Sequence, residues 1–442
     1  MADEEFDLVI GLGITGRSCV RYLATQGMPL RALDTRARPP GVEELREQFP
    51  DLPVHLGGWR EDWLAGARRL ILSPGIAVST PEIAAQSAAG KEIIGDIELF
   101  ARAVNVPVVA ITGSNAKSTV TTLLGEALHA AGVRALVGGN LGTPALDLLD
   151  AQARLYVLEL SSFQLETTWS LHAAVATVLN ISQDHLDRYH GLAEYIAAKQ
   201  RAYEGCEVAV WNRDQEATRP QHPVEREITF GTHPASDYRL ETESGRLLAY
   251  GTPLMDVGEL ALPGHHNAIN VLAVLALAEA LHVPADAVLE AARGFSGLPH
   301  RCQLVAEHEG VRWINDSKGT NLGATLAALA GIAASVPGRV VLIAGGQAKD
   351  QDFAPLADAA REHVRAVVLI GEDAERMGAL LGEVDVRYET DMAAAVRCAA
   401  SLAQPGDAVL LSPACASFDM YSGYVARGDD YVRQVREVTG AH

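Results

Sequence analysis

Short, almost purely apolar runs recur along the chain, each followed by small or polar residues and then by apolar positions at three- and four-residue spacing. FDLVIGLG (6–13) reads as a buried strand, GRSCVRYLATQG (16–27) as the helix behind it and PLRALD (29–34) as the next strand. RRLILSPG (68–75) predicts another strand ending in a turn, with a short helix after it, and the pattern shifts near GKEIIGDIELFARAV (90–104). A second series opens with PVVAITGSNAKSTVTTLLGEAL (107–128), which predicts strand, small polar loop and helix; LYVLELS, AVATVLNIS and CEVAVWN predict its later strands. DYRLETESGRLLAYGTPLMDVGELALPG (237–264) alternates with turn signals and predicts a small antiparallel appendage. NAINVLAVLALAEALHV (267–283) and PADAVLEAARGF (284–295) predict helices. A third strand–helix series follows, with VRWINDS, RVVLIAGG, AVVLIGE and DAVLLSPA as strands. Repeated alternation of this kind predicts an α/β protein with parallel sheets covered by helices, three times over. In such sheets ligands bind beyond the carboxyl ends of the strands.

Composition sharpens this picture. A length of 442 residues suggests about three domains at ~150 residues each, and 48% hydrophobic with 5% aromatic residues suits aliphatic cores. The formal charge of −20 argues against nucleic acid or a membrane surface as partner, since both ask for a basic face. An anionic substrate must then be received locally, by helix N-termini, individual lysines and arginines, or bound metal. The cysteines Cys19, Cys206, Cys302, Cys398 and Cys415 are scattered and odd in number, which disfavours a disulfide framework or a cysteine zinc site. The acidic N-terminus carries no signal-peptide pattern and no apolar run is long enough to span a bilayer, so the cytoplasm is the expected address. Lysine occurs only at Lys91, Lys117, Lys199, Lys318 and Lys349, and all but Lys91 lie in segments rich in Gly, Ser, Asp or His. A lysine supplies a compact ammonium, or a nucleophilic amine when neutral, which a guanidinium does not.

Four groups of residues carry candidate chemistry. Gly11, Gly13 and Gly16 have GxGxxG spacing between a strand and a helix, with Asp34 ending the next strand. This pattern suits a nucleotide diphosphate at a helix N-terminus with the carboxylate on ribose, or a tight helix–sheet packing turn. TGSNAKST (112–119) is a shortened phosphate loop: backbone amides and the following helix would receive phosphates, Lys117 charge them, and Ser118 or Thr119 offer a hydroxyl to Mg²⁺. Ala116 stands where such loops carry glycine; in a left-handed conformation it would cost roughly 1–2 kcal/mol. Glu159 ends one strand, and Asp184, His185 and Asp187 follow another, a hard-oxygen set with one imidazole that suits Mg²⁺. Lys199 is the odd member near such a cluster, unless its amine adds CO₂ to become a carbamate, a carboxylate-like ligand. Asp316, Lys318 and Thr320, Lys349, and Ser417 with Tyr424 each follow a strand of the third series, where they would suit a small dicarboxylate or serve as loop caps.

Together these segments resemble the ATP-dependent Mur ligases of peptidoglycan synthesis, and within that family its glutamate-adding members. The resemblance runs along essentially the whole chain, through GLGITG, LSPG, GDIELF, ITGSNAKST, GGNLGTPAL, LELSSFQLE, DHLDRY, AAK, HNAIN, LPHR, NDSKGTN and SPACAS, in that order. It implies three domains: a Rossmann-like UDP-binding domain over 1–94, a central P-loop-type ATPase domain over 95–298 and a Rossmann-like glutamate-binding domain over 299–442. It implies an amide ligation in which ATP phosphorylates the terminal carboxylate of UDP-MurNAc-L-Ala and the amine of D-glutamate attacks the acyl phosphate. Ile14, Thr15, Asp34, Thr35, Arg36, Ser73, Pro74, Gly75, Asn140 and His185 would then line the UDP-substrate site. Gly113, Ser114, Asn115, Ala116, Lys117, Ser118 and Thr119 would hold ATP, with Asn267, Asn270, Arg301 and Asp316 positioning the nucleotide. Ser118 and Glu159 would hold one Mg²⁺, and His185 with carbamylated Lys199 a second. Lys318, Thr320, Lys349, Ser417 and Tyr424 would bind glutamate, with Lys117, His185, Lys199 and Lys318 as the catalytic set. A monomer is expected, with small-molecule partners alone.

The chain departs from the family pattern at Ala116, at Gly319 where alanine is usual, in GGQAKDQDF, and at Tyr424 where phenylalanine is frequent. Other readings bring a folylpolyglutamate-type or other Mur-type ligase, the same ligation with L-glutamate, a nicotinamide-dependent dehydrogenase built on the glycine motif and Asp34, or a non-catalytic nucleotide binder.

Overall fold

In the computed structural model the described residues are 5–184, 188–262, 264–295, 297–348 and 352–440. Two compact units emerge: Met1–Asn180 with Ala193–Phe230 and Ala273–Val288, and Ile181–Leu192 with Gly231–Leu272 and Leu289–His442.

The first unit carries two parallel sheets. The N-terminal one runs in the order Val54–Leu56, Leu30–Asp34, Phe6–Ile10, Ala67–Leu72, Glu92–Gly95. The second runs Arg226–Gly231, Val208–Asn212, Val175–Val178, Val108–Thr112, Leu155–Glu159, Ala135–Gly139. Both sheets place their first strand between later ones, so a crevice opens at its carboxyl end, where ligands of open α/β sheets settle. One crevice meets the glycine motif and Ser73–Gly75; the other meets the Gly113–Ala116 loop. Gly16 explains part of the glycine spacing by packing alone: a Cβ there would stand 1.8 Å from the Gly11 carbonyl oxygen, so the Ile14–Thr25 helix closes on the strand end only through glycine.

A buried polar seam joins the helix that leaves the N-terminal sheet to the second sheet. Gln164 donates through Nε2 to Asp96 Oδ2 at 2.8 Å, and the Glu98 carboxylate accepts from the amides of Trp169 and Ser170 at 2.7 and 2.9 Å. Asp96 is buried and its Oδ1 has no hydrogen-bond partner, and burial pushes its pKa from 3.8 to about 6. A carboxyl raised in this way favours the folded state most when protonated. Its contribution is complete below pH 3.8 and is lost as pH rises through about 6. The interval corresponds to on the order of 3 kcal/mol. Asp96→Asn keeps an oxygen for Gln164 and cannot ionise, so its stability should gain on the parent by up to that amount between about pH 4 and pH 7. Denaturant titrations across that range test this; two parallel stability–pH curves would refute it.

The second unit holds the antiparallel ribbon Tyr238–Glu241, Arg246–Ala249, Thr252–Asp256 and a sheet in the order Gln303–His308, Val311–Asn315, Ala408–Leu411, Val340–Gly345, Val364–Ile370, Val386–Tyr388. That sheet is parallel except for its first strand. Its core lies on both faces, with Leu342, Leu410 and Phe353 on one and Ile343, Val409 and Tyr431 on the other. Ala408–Leu411 slots in between Val311–Asn315 and Val340–Gly345, which sets three polar loops side by side.

Every strand run expected above is a strand, and the appendage is antiparallel. Pattern reading passed over Ala135–Gly139, which ends in two glycines, the half-exposed edge strand Gln303–His308, and Val54–Leu56, Glu92–Gly95, Arg226–Gly231 and Val386–Tyr388.

Candidate functional site

The loop after Val108–Thr112 is built by its neighbours as much as by its own residues. Asn180, at the end of the adjacent strand, accepts from the Asn115 amide through Oδ1 at 2.8 Å and donates to the Asn115 carbonyl at 3.1 Å. Its backbone carbonyl accepts from Ser114 N–H at 2.9 Å. Asn180 escaped the sequence reading, although it closes a strand beside the loop, where a side chain able to both donate and accept can clamp a backbone. Lys117 opens the Lys117–Ala130 helix and folds its ammonium back onto the carbonyls of Gly113 and Ser114, both at 2.9 Å. These contacts keep the ammonium beside the loop amides that would receive a phosphate.

Ala116 caps that helix with φ 65° and ψ −5°, the left-handed conformation that glycine adopts without penalty. The alanine is therefore carried at a cost. Ala116→Gly should recover roughly 1–2 kcal/mol of strain and lose about 0.5 kcal/mol to unfolded-state entropy, a net gain of about 0.5–1.5 kcal/mol. A higher denaturant midpoint at unchanged slope is the expected result. An equal or lower midpoint would mean the backbone here is unstrained.

Beside the loop, Glu159 is buried at its strand end, with Ser118 Oγ donating to Oε2 and Asn140 Nδ2 to Oε1 at 2.7 Å. Asn140 is tied to the same residue by its amide, which donates to the Glu159 carbonyl at 2.8 Å. A carboxylate and a hydroxyl on one point form an oxygen donor set that fits Mg²⁺, which typically takes one or two protein ligands and completes its shell with phosphate and water. Among the described residues, no group of three or more His, Cys, Asp or Glu side chains is gathered for a metal. Lys199 is 1% exposed; its ammonium donates to the Gly113 carbonyl at 2.8 Å and lies 4.5 Å from the Tyr195 ring. Tyr195 in turn bonds Ser114 through their hydroxyls at 3.1 Å. Lys117, Ser118, Asn140, Glu159 and Lys199 are thus one cluster. His185 and Asp187 lie outside the described residues.

At the N-terminal sheet, Asp34 accepts from Leu12 N–H at 2.7 Å, from Arg36 N–H and Nε at 2.9 Å each, and from Arg36 Nη2 at 2.7 Å. Burial works to raise its pKa, but these bonds outweigh it and hold the carboxyl below its ordinary value. Both oxygens already serve the loop and Arg36, which weakens the dehydrogenase reading, where this carboxylate would take ribose hydroxyls. Ser73 donates to the Gly11 carbonyl at 2.7 Å, so it bridges the two strand ends, and Ile14 is 65% exposed on the first turn of the helix. Thr35, Pro74, Gly75 and Thr15 lie at the same sheet edge.

In the second unit, burial lifts Asp316 to a pKa of about 6, against hydrogen bonds from Ser412 Oγ at 2.7 Å and Cys302 N–H at 3.2 Å. Asn267 and Asn270 are buried on the His265–Ala280 helix, 3.3 Å apart. Lys318 holds its ammonium 4.4 Å from the Tyr424 ring, Thr320 lies in the same loop, and Ser417 is buried at the end of the neighbouring strand. Lys349 lies outside the described residues. Beneath these loops sits Arg427, which the sequence reading missed. Its guanidinium is 2% exposed and makes five hydrogen bonds, to Ser317 Oγ and O, Ala416 O and twice to Cys415 O, at 2.9–3.3 Å. Burial pulls its pKa down to about 10, which leaves it charged at neutral pH.

A phosphate-type loop with a lysine at its helix start, an adjacent hydroxyl–carboxylate pair and three strand–helix sheets define an α/β protein of the phosphate-loop, nucleotide-binding type. Comparison with known proteins gives the family. Matching models are Mur ligase MurD-like, N-terminal domain over residues 5–95, Mur ligase middle domain over 111–278 and Mur ligase, glutamate ligase domain over 300–415. The chain belongs to the Mur ligase family. It is 63% identical over 438 residues (99% of each chain) to the UDP-N-acetylmuramoylalanine–D-glutamate ligase of Alcanivorax borkumensis, and 49% identical over 432 residues (96% of each) to that of Marinobacter nauticus. Among solved structures it resembles the UDP-N-acetylmuramate–alanine ligase MurC of Thermotoga maritima, with a TM-score of 0.64 at 17% identity over 98% of this chain and 100% of that one. It also resembles the MurF ligase of the same organism in complex with ADP, with a TM-score of 0.63 at 16% identity over 99% and 96%. Those two likenesses concern the fold.

Proposed function

We propose that the protein joins D-glutamate to UDP-N-acetylmuramoyl-L-alanine at the expense of ATP, a step of peptidoglycan precursor synthesis. The observation that carries this reading is the Lys117–Ser118–Glu159–Asn140 cluster, in a chain 63% identical along its length to a ligase of that name. The γ-phosphoryl group passes from ATP to the alanyl carboxylate, giving ADP and an acyl phosphate. The glutamate amine, once deprotonated, forms a C–N bond to the acyl carbon, and the tetrahedral intermediate collapses by expelling phosphate.

Each group then takes a role in that reaction. The loop from Gly113 to Thr119 receives phosphates on backbone amides and the helix N-terminus, and Lys117 leaves its two carbonyls to offset their charge. Ser118 and Glu159 would hold one Mg²⁺, and His185 with Lys199 the second; bound there, the ions offset the negative charge that converges when ATP meets a carboxylate. For that purpose the neutral Lys199 amine adds to CO₂, forming an N–C bond and releasing one proton to give the carbamate. Asn140 lies beside the UDP substrate, whose uridine end is received by Ile14, Thr15, Thr35, Arg36 and Ser73–Gly75, with Asp34 shaping that site by holding Leu12 and Arg36. Asn267, Asn270, Arg301 and Asp316 position the nucleotide; Lys318, Thr320, Lys349, Ser417 and Tyr424 bind glutamate. Domains over 1–94, 95–298 and 299–442, a monomeric state and a cytoplasmic location complete the proposal. Among the described residues no helix is long and apolar enough to cross a membrane.

The test is phosphate release from ATP and Mg²⁺ with UDP-N-acetylmuramoyl-L-alanine, adding D- or L-glutamate separately. Release with D-glutamate alone is expected. Release with L-glutamate alone would move the enzyme to another pathway, and no release with either would leave a nucleotide binder without catalysis.

A further inference from the structure

We infer that His300 is a positioning residue for the amino-acid pocket, holding the Tyr424 ring and the Lys318 backbone in place through contacts with Asn315 and the last helix. The inference rests on the assignment of Lys318 and Tyr424 to glutamate.

His300 belongs to the connecting loop before the second unit's edge strand, at φ 63° and 7% exposed. Its carbonyl accepts from Lys318 N–H at 3.0 Å, which sets the start of the loop that carries the Lys318 ammonium. Its ring Nδ1 lies 3.0 Å from Asn315 Nδ2, a nitrogen that can only donate, so Nδ1 accepts and the imidazole proton sits on Nε2. Nε2 faces Asp429 Oδ1 at 3.6 Å. Asn315 is fully buried and also donates to Gly428 O at 3.2 Å and Gln303 Oε1 at 3.3 Å, which fastens strand end, loop and last helix together. The imidazole meets the Tyr424 ring edge to face, with centroids 6.2 Å apart at 77°. The Lys318 ammonium lies 4.4 Å from that same ring.

Gly428 makes this arrangement possible. A Cβ on it would stand 2.2 Å from His300 Nδ1, so any side chain there would evict the imidazole. By contrast, the contact of this loop with Asp316 runs through the Cys302 amide and not through the His300 ring. Loss of the ring therefore acts on Tyr424 and Asn315, and through the Tyr424 ring on the Lys318 ammonium, while leaving the His300 O–Lys318 N–H bond and the Cys302–Asp316 bond in place.

The experiment compares KM for D-glutamate, ATP and the UDP substrate in the full-length wild type, His300→Ala, His300→Gln and Gly428→Ala, with thermal unfolding of each. Wild-type turnover of D-glutamate is read first, and its absence would refute the functional assignment separately. His300→Ala and Gly428→Ala should each raise KM for D-glutamate roughly tenfold, with the other two constants within about twofold. His300→Gln, which keeps an acceptor for Asn315, should stay within about threefold of wild type. An unchanged KM for D-glutamate in His300→Ala, or a parallel rise in all three constants, would overturn the inference. So would loss of folding in both His300→Ala and Gly428→Ala beside a wild-type-like His300→Gln, since the residue would then be structural only.

Discussion

Lys117→Met should lower acceptor-dependent phosphate release roughly 10²–10³-fold, the usual effect of removing one preorganised group aimed at developing charge. The reason lies in where the ammonium rests. It is held by two carbonyls of its own loop, at 2.9 Å each, which keeps its charge close to where phosphates would sit. Methionine fills similar volume and keeps a good helix former at the helix start, so the unfolding midpoint should move little. Lys117→Arg should recover only part of the rate, because a planar guanidinium does not reproduce a compact point charge. Retention of activity within about threefold in Lys117→Met would rule out this loop as the phosphate cradle. Initial-rate measurements at saturating substrates separate this from weaker binding.

The largest loss of stability is expected from Arg427→Met. One guanidinium satisfies the Ser317 carbonyl and hydroxyl and the carbonyls of Cys415 and Ala416, all in a site closed to water. Ala416 O keeps its bond from Gln347 N–H, and Ser317 Oγ its bond to Tyr424 O. Removing the guanidinium strands the Ser317 and Cys415 carbonyls at about 1–3 kcal/mol each, and breaking the buried network costs about 3–5 kcal/mol in all. A unit of this size should then unfold roughly 6–20 °C lower. Ser317 precedes Lys318 and Ala416 precedes Ser417, so KM for D-glutamate should rise as well. A fall of less than a few degrees would mean that water or local rearrangement supplies the missing donors.

Much of this protein was legible as a one-dimensional pattern. Strands buried on both faces must be continuous apolar runs, so Val108–Thr112, Leu155–Glu159, Val340–Gly345 and Ala408–Leu411 announce themselves, and the small polar residues after each mark the ligand-bearing edge. The phosphate loop, Glu159 and the lysines could be found for the same reason, since chemistry of this kind uses few residue types at strand ends. The Gln303–His308 edge strand was hidden because one side of it faces water and its pattern is weak.

By itself, the sequence determined the three strand–helix series, the positions of the candidate chemistry and, through the order of its motifs, the resemblance to a ligase family. Tertiary structure alone decided which of those residues meet and what each contact costs. Ala116 is compatible on paper with either hand of backbone, and only the clamp by Asn180 and the helix start force it to φ 65°. Asp34 reads as a ribose ligand until Leu12 and Arg36 are seen to occupy it. Arg427 and His300 stand more than a hundred residues apart, yet they support the same loop, because the last helix packs back across the strand ends. Local pattern encodes burial and periodicity; partners distant in the chain are set by packing, which no local window contains.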